Sequence, residues 1–207
     1  EPELVGNHRR VLVSELSGRS NVAYKLKEMN IDCDNNSIKP IVDEIKKLEN
    51  SGYQFESAEA SFELLLLKAL GKGKKYFSVA GFRAINEKIE NLMRCEASIK
   101  VEVDGVIEHM VADGNGPVNA LDNALRKALS QFYPEINNVE LSDYKVRVLA
   151  GSAGTEAMVR VLIESRDGEN SWGTVGVSEN IVEASLYALV DSFTYYLLKY
   201  SKKILKK

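Results

Sequence analysis

The strongest constraint on how this chain folds is an internal repeat in its last two thirds. From about residue 75 the sequence pattern runs strand, strand, strand, helix, and then passes through the same order again. The segment Val111–Leu125 can be laid on Val175–Leu189 with a shift of 64 residues, so that Ala120 meets Ala184, Ala124 meets Ala188 and Leu125 meets Leu189. Small alanines at these positions let a helix lie close to a sheet. Because a three-stranded sheet buries one helix poorly by itself, we expect two βββα units that share one core.

The period of the apolar residues indicates where each element of the repeat lies. Alternating apolar and polar residues predict strands within 76–89, at 97–103 and at 106–112, and helical spacing follows over 118–132. In the second unit the same reasoning predicts strands at 144–149, 157–164 and 172–177 and a long helix over 179–200. Ser178 is the predicted N-cap of that last helix, since serine is a favoured capping residue.

The first third of the chain has a helical period instead. Apolar residues at helical spacing predict helices that start near Ser20, near Ser37 and near Ala58. The glycine and lysine stretch Gly71–Lys74 is the best candidate for a domain boundary. The predicted fold class is therefore α+β, with a small helical subdomain over 1–74 and a duplicated domain over 75–207. Its two βββα units cover 75–134 and 138–207, and their helices pack between three-stranded antiparallel sheets.

Composition excludes several classes of function. The 207 residues are 44% hydrophobic and carry a formal net charge of −3, which is typical of a globular protein and not of a disordered or nucleic-acid-binding one. No apolar run approaches the length of a membrane span, and the first 30 residues do not resemble a signal peptide. Only His8 and His109 are present, and Cys33 and Cys95 lack metal-type spacing, so a His-rich or Cys-rich metal site is not expected. We expect a reduced cytoplasmic chain. Because the sequence begins at Glu1 without methionine, we expect it to be a piece of a longer polypeptide or a processed chain.

Two glycine-containing loops are candidates for ligand contact. Gly114–Pro117 lies between a predicted strand and helix, where it forms either an anion site at the helix start or a plain turn. Gly151–Thr155 either wraps a small ligand or is a flexible loop between strands. His109 stands alone in a strand, and no nucleophile or acid–base arrangement is recognisable. No catalytic residue is therefore predicted within this chain.

The order of the predicted elements also fits one alternative fold, which binds RNA. A helix, three strands and a helix is also the order of a double-stranded RNA-binding domain, which needs basic residues at the start of its last helix. Here that start is acidic, with Glu179 and Glu183. Because like charges repel phosphate, we expect neither nucleic acid nor a membrane as a partner.

Five stretches together resemble one enzyme family. They are RRVLVSELSGRSNV at 9–22, GYQFESAEASF at 52–62, VADGNGPVNA at 111–120, DYKVRV at 143–148 and TVGVSENI at 174–181. The chain resembles the C-terminal linker and regulatory region of citramalate synthases in the α-isopropylmalate and homocitrate synthase family. The second stretch favours the citramalate branch over the isopropylmalate branch.

The resemblance implies that catalysis and regulation belong to different regions of the parent enzyme. In that family an N-terminal (β/α)8 barrel binds a divalent metal and condenses acetyl-CoA with a 2-oxo acid, which is pyruvate in the citramalate branch. This chain resembles only the later region, so it should hold no cofactor and be inactive alone. The resemblance further implies that residues 1–74 are a helical linker subdomain and that residues 75–207 are the regulatory domain, which pairs with a second copy. It also implies that isoleucine or leucine binds near the dimer interface as a feedback inhibitor.

The resemblance also implies an effector site. Apolar side chains would hold a branched side chain, and helix N termini would receive a carboxylate. A leucine-binding isopropylmalate synthase region and a dimerisation module without a ligand remain the alternatives. The implied site residues are Gly116, Val118, Asn119, Leu141, Tyr144, Val148, Thr155, Val159, Ser178 and Asn180.

Overall fold

The computed structural model describes residues 19–31, 35–149 and 157–204 of the chain. Three helices come first, and two groups of three strands and a helix follow. The predicted α+β fold class with two βββα units is confirmed. The elements are α1 Arg19–Glu28, α2 Asn35–Asn50, α3 Glu59–Ala69, β1 Ser78–Ile89, β2 Leu92–Val103, β3 Val106–Gly114, α4 Pro117–Leu129, a short 3-10 helix Pro134–Asn138, β4 Glu140–Val148, β5 Val159–Arg166, β6 Ser171–Ser178 and α5 Ile181–Ile204.

Each unit forms its own antiparallel sheet. The first sheet has the order β1-β2-β3 and the second the order β4-β5-β6, and each helix follows the third strand of its sheet. In the first unit Ala97 pairs with Ala84 on one side and Ala112 on the other, and in the second Val161 pairs with Val146 and Gly176. The predicted boundary near residue 74 falls between α3 and β1 and stays a prediction.

One hydrophobic core joins the two units. Buried side chains of β2, such as Ile99, belong to the same cluster as Leu125 of α4, Leu189 of α5 and Ile163 of β5. The four repeat alanines at 120, 124, 184 and 188 have no exposed surface. The cluster therefore passes from one sheet to the other through both helices, as the shared-core argument requires.

The helix backbones approach the third strands very closely. A Cβ atom added at Gly114 of β3 would lie 2.3 Å from the backbone nitrogen of Ala120 in α4. At Gly176 of β6 it would lie 2.0 Å from the carbonyl oxygen of Ala184 in α5. Only glycine leaves room for these contacts, so each unit depends on a small strand residue beneath a small helix residue.

The N-terminal helices cover the outer face of the second sheet. Val175 and Val177 of β6 are buried in a second cluster that contains Phe62 and Leu66 of α3. Polar contacts add to this packing, because the Arg160 guanidinium on β5 donates a hydrogen bond to the Gly52 carbonyl. β5 and β6 of the second sheet are therefore covered on both faces.

The predicted cap of the last helix is wrong. β6 continues through Ser178, which still pairs with Val159, so Ser178 lies in the strand and not at the helix entry. Asn180 caps the helix instead, since its side-chain oxygen accepts hydrogen bonds from the backbone nitrogens of Val182 at 2.8 Å and Glu183 at 3.3 Å. Ser178 supports this turn by accepting a hydrogen bond from the Asn180 nitrogen at 3.0 Å.

Two strands are longer than the sequence pattern predicts. β2 begins at Leu92 rather than near Ala97, and β4 begins at Glu140 rather than Tyr144. Neither added segment alternates between apolar and polar residues, because most side chains at these sheet margins are exposed and only Cys95 among them is buried. Pairing with β1 and with β5 holds them in the sheets.

Within the described part of the chain, no helix combines the length and the apolar character that a membrane crossing needs. The same residues contain no group of three or more His, Cys, Asp or Glu side chains placed to hold a metal ion. Cys95 is buried and free, whereas Cys33 lies outside the described residues.

We predict that Gly114→Ala and Gly176→Ala each lower the free energy of unfolding by about 1–3 kcal/mol, because the added methyl group overlaps helix backbone. Urea unfolding followed by circular dichroism measures the change. Gly81→Ala is the matched control, since a Cβ there meets nothing within 4 Å. An equal loss of stability in all three variants would contradict the close-approach argument.

Candidate functional site

Three of the predicted site residues form one row at the end of the second sheet. Val148 of β4 pairs with Val159 of β5, and Val159 pairs with Ser178 of β6. Directly paired residues of antiparallel strands present their side chains on the same face. This row lies on the α5 side of the sheet, beside the first turn of α5 at Ile181. We use the name α5 groove for the surface formed by this row together with Tyr144, Val146 and the first turn of α5.

Tyr144 defines the inner end of the α5 groove. Its hydroxyl lies 2.9 Å from the Ser185 hydroxyl oxygen of α5. Ser185 in turn donates a hydrogen bond to the Ile181 carbonyl at 2.6 Å, so the tyrosine is the donor in the first contact. This chain of bonds fixes the tyrosine ring against the helix.

The wall of the α5 groove on β4 is apolar and open. α5 packs mainly on β5 and β6, and the aliphatic β4 side chains on this face remain exposed. Val146 is 41% exposed and Val148 is 64% exposed. An aliphatic side chain placed here would bury apolar surface on both partners.

The rim of the α5 groove is polar and negatively charged. Ser178 donates a hydrogen bond to a Glu183 carboxylate oxygen. The Asn180 side chain accepts hydrogen bonds from the first backbone amides of α5. Because those amides are already bonded and a carboxylate stands beside them, this helix start suits an ammonium group better than a carboxylate.

The start of α4 has the opposite character. Its N-cap Gly116 is in extended conformation and provides no side-chain cap. The Asn119 side chain turns away from the helix amides and accepts a hydrogen bond from the Asn115 nitrogen at 3.0 Å. The helix begins with Pro117, which has no amide hydrogen, so the amides of Val118 and Asn119 are the ones available to an anion.

The ten predicted site residues do not all meet within one chain. Leu141 pairs with Ser165 at the far end of β4, about 23 Å along the strand from Val148. The start of α4 makes its hydrogen bonds within the first unit. For example, the Asn123 side chain donates a hydrogen bond to the Asp113 carbonyl. Thr155, with the rest of the predicted loop Gly151–Thr155, lies outside the described residues.

A cavity of about 340 Å³ was not predicted from the sequence. We call it the α3–α5 cavity, because these two helices and the connector at 73–76 line it. One signal in the sequence points to it: Asp191 is the only charged residue between Ala184 and Leu198. Its lining residues are Leu64, Leu67, Lys68, Gly73, Lys74, Lys75, Tyr76, Asp191, Thr194 and Leu198.

Asp191 is held in an environment that disfavours its charge. One carboxylate oxygen accepts a hydrogen bond from the Ser61 hydroxyl at 2.6 Å, and Ser61 itself accepts one from the Val175 nitrogen at 3.0 Å. Removal from water raises the pKa of Asp191 to about 6, against the opposing effects of Ser61 and Lys68. The carboxylate thus links α3, α5 and β6 at a cost in free energy.

We predict that Asp191→Asn stabilises the protein by about 2 kcal/mol at pH 8 and has little effect near pH 4. The folded state binds the Asp191 proton more tightly than the unfolded state, so the aspartate lowers stability as pH rises from about 4 through about 6. Urea unfolding of both proteins at several pH values measures this. Parallel stability curves for the two proteins across this pH range would contradict it.

The fold is a duplicated βββα module with helices packed against its second sheet. A family model of the LeuA allosteric (dimerisation) domain matches residues 56–197. The chain belongs to this family, and the resemblance found in the sequence motifs is confirmed.

Relatives agree with this assignment. The chain is 60% identical over 202 residues to a protein named (R)-citramalate synthase from Geobacter sulfurreducens, and 52% identical over 202 residues to one of the same name from Aquifex aeolicus. It is 28% identical over 205 residues to a 2-isopropylmalate synthase from Methanocaldococcus jannaschii. Each alignment covers 96% or 97% of this chain and 38% of the relative, so the chain spans about two fifths of the length of these proteins.

Proposed function

We propose that this chain is the feedback-regulatory and dimerisation portion of an (R)-citramalate synthase and that it binds isoleucine. The α5 groove is the observation that carries this proposal, since it offers an open aliphatic wall beside a polar, acidic helix start. The identity to proteins named (R)-citramalate synthase supports the branch. Condensation of acetyl-CoA with pyruvate, and the divalent metal for it, are assigned to a separate barrel, so the chain alone should be inactive.

The groove suggests how isoleucine would lie. Its branched side chain would pack on Val148 and Val159, and its ammonium group would lie near the Glu183 carboxylate. Its carboxylate would then need amides that α5 cannot supply. The open start of α4, at Gly116 and Val118, has that chemistry.

The proposed dimer needs a surface that a second copy can cover. The outer face of the second sheet is buried under α3, but the outer face of the first sheet is open. Paired positions place Ile85, Val111 and Ile107 on that open face, with exposed fractions of 36%, 41% and 62%. Since the family is a dimerisation domain, we assign this face to the contact between protomers.

We predict that isothermal titration of the chain with isoleucine gives saturable heat and that Val148→Asp weakens binding at least tenfold, or about 1.4 kcal/mol. The new carboxylate would be desolvated beside an aliphatic side chain. Val106→Asp is the matched control, because Val106 is 50% exposed and lies in the turn-side end of the first sheet.

Two outcomes of this titration separate the alternatives. Tighter binding of leucine than isoleucine would favour the regulatory region of a 2-isopropylmalate synthase. No heat with either amino acid would contradict the effector proposal and favour a dimerisation module without a ligand. Equal loss in Val148→Asp and Val106→Asp would place the site elsewhere.

We predict that light scattering finds a dimer and that the double variant Ile107→Lys, Val111→Lys is mainly monomeric, because four lysines would face one another across the contact. Tyr24→Lys is the control, since Tyr24 is 44% exposed on α1 and away from the first sheet. A monomeric wild-type chain, or a dimeric double variant, would contradict this interface.

A further inference from the structure

The α3–α5 cavity has the features of a second ligand site. Its volume of about 340 Å³ lies within the range of small-molecule sites, which is about 300–1,000 Å³. Leu64 and Leu67 of α3 and Leu198 of α5 form apolar walls. None of the residues assigned to the α5 groove lines this cavity, so the inference does not depend on the isoleucine proposal.

A carboxylate without a close counter-ion stands in this apolar wall. Among the described residues, no lysine, arginine or histidine nitrogen lies within 4.0 Å of the Asp191 oxygens. Lys68 acts on Asp191 only through a longer-range attraction. A partly desolvated carboxylate with one hydroxyl partner lacks the cation that normally compensates such a charge.

The lysines of the connector do not supply that cation. The Lys74 ammonium lies 4.7 Å from the centre of the Tyr76 ring, in a cation–π contact. Lys74 and Lys75 line the cavity, which places positive charge at its edge while Asp191 lies in the α5 wall. The cavity thus presents an anionic point, an aliphatic wall and a cationic rim.

We propose that the α3–α5 cavity binds an aliphatic ammonium compound, with its ammonium group paired to Asp191 and its hydrocarbon body on Leu64, Leu67 and Leu198. The ammonium would satisfy the carboxylate oxygen that Ser61 leaves free. The cationic rim favours a free amino acid as the source, because Lys68 and Lys74 would meet its carboxylate. A ligand here contacts α3 and α5 together and would tighten the helical segment against the duplicated domain.

The test is isothermal titration of the whole chain at pH 8 with millimolar isoamylamine, which has an ammonium group and no carboxylate. Leucine tests the amino-acid source, and isovalerate, which has no ammonium group, is the negative control. The titrations are made with the wild type and with Val148→Asp, so that binding at the α3–α5 cavity is distinguished from binding at the α5 groove. Isoamylamine or leucine should bind in both, and isovalerate in neither.

Asp191→Asn should weaken ammonium binding at least tenfold, because the amide keeps the Ser61 contact and loses the charge. Binding should also fall as pH drops through about 6. Thr194→Trp is a second test, because it fills the cavity from α5 and should have the same effect. No binding of any ammonium compound in the wild type, unchanged binding in both variants, or binding of isovalerate would overturn the proposal.

Discussion

The close approach of each unit's helix to the third strand of its sheet is the constraint on which the rest of the structure depends. Gly114 lies under the Ala120 backbone and Gly176 under Ala184, with no room for a side chain between them. Because of this short distance, α4 and α5 pack closely on their sheets, and one hydrophobic core contains side chains from both sheets.

The two units use this shared design differently. At the start of α5, Asn180 and Ser178 occupy the amides and Glu183 adds negative charge, whereas the start of α4 has a glycine cap and open amides. The outer face of the second sheet is covered by helices, and that of the first is not. The duplication therefore gives two units with a similar backbone. Their side chains differ, so that the proposed α5 groove lies in the second unit and the proposed dimer contact lies in the first.

Much of the fold could be predicted from the sequence, because apolar periodicity records which face of an element is buried. The repeat, the three first helices and the glycine beside the α4 start were all visible in this way. The missed parts have physical reasons. The strand margins at Leu92 and Glu140 are held by pairing rather than by burial, and the cap shifted to Asn180 because pairing with Val159 keeps Ser178 in the strand.

The sequence by itself determined the fold class, the duplication and the family, since these depend on local patterns and motifs. Only the tertiary structure decided which predicted site residues meet: it aligned Val148 with Val159 and Ser178 and separated Leu141 from them. It also placed Asp191 against Ser61, 130 residues away in sequence, at a cavity between two helices. Strand register and helix packing bring together residues that are far apart along the chain. A local sequence pattern contains no information about such contacts.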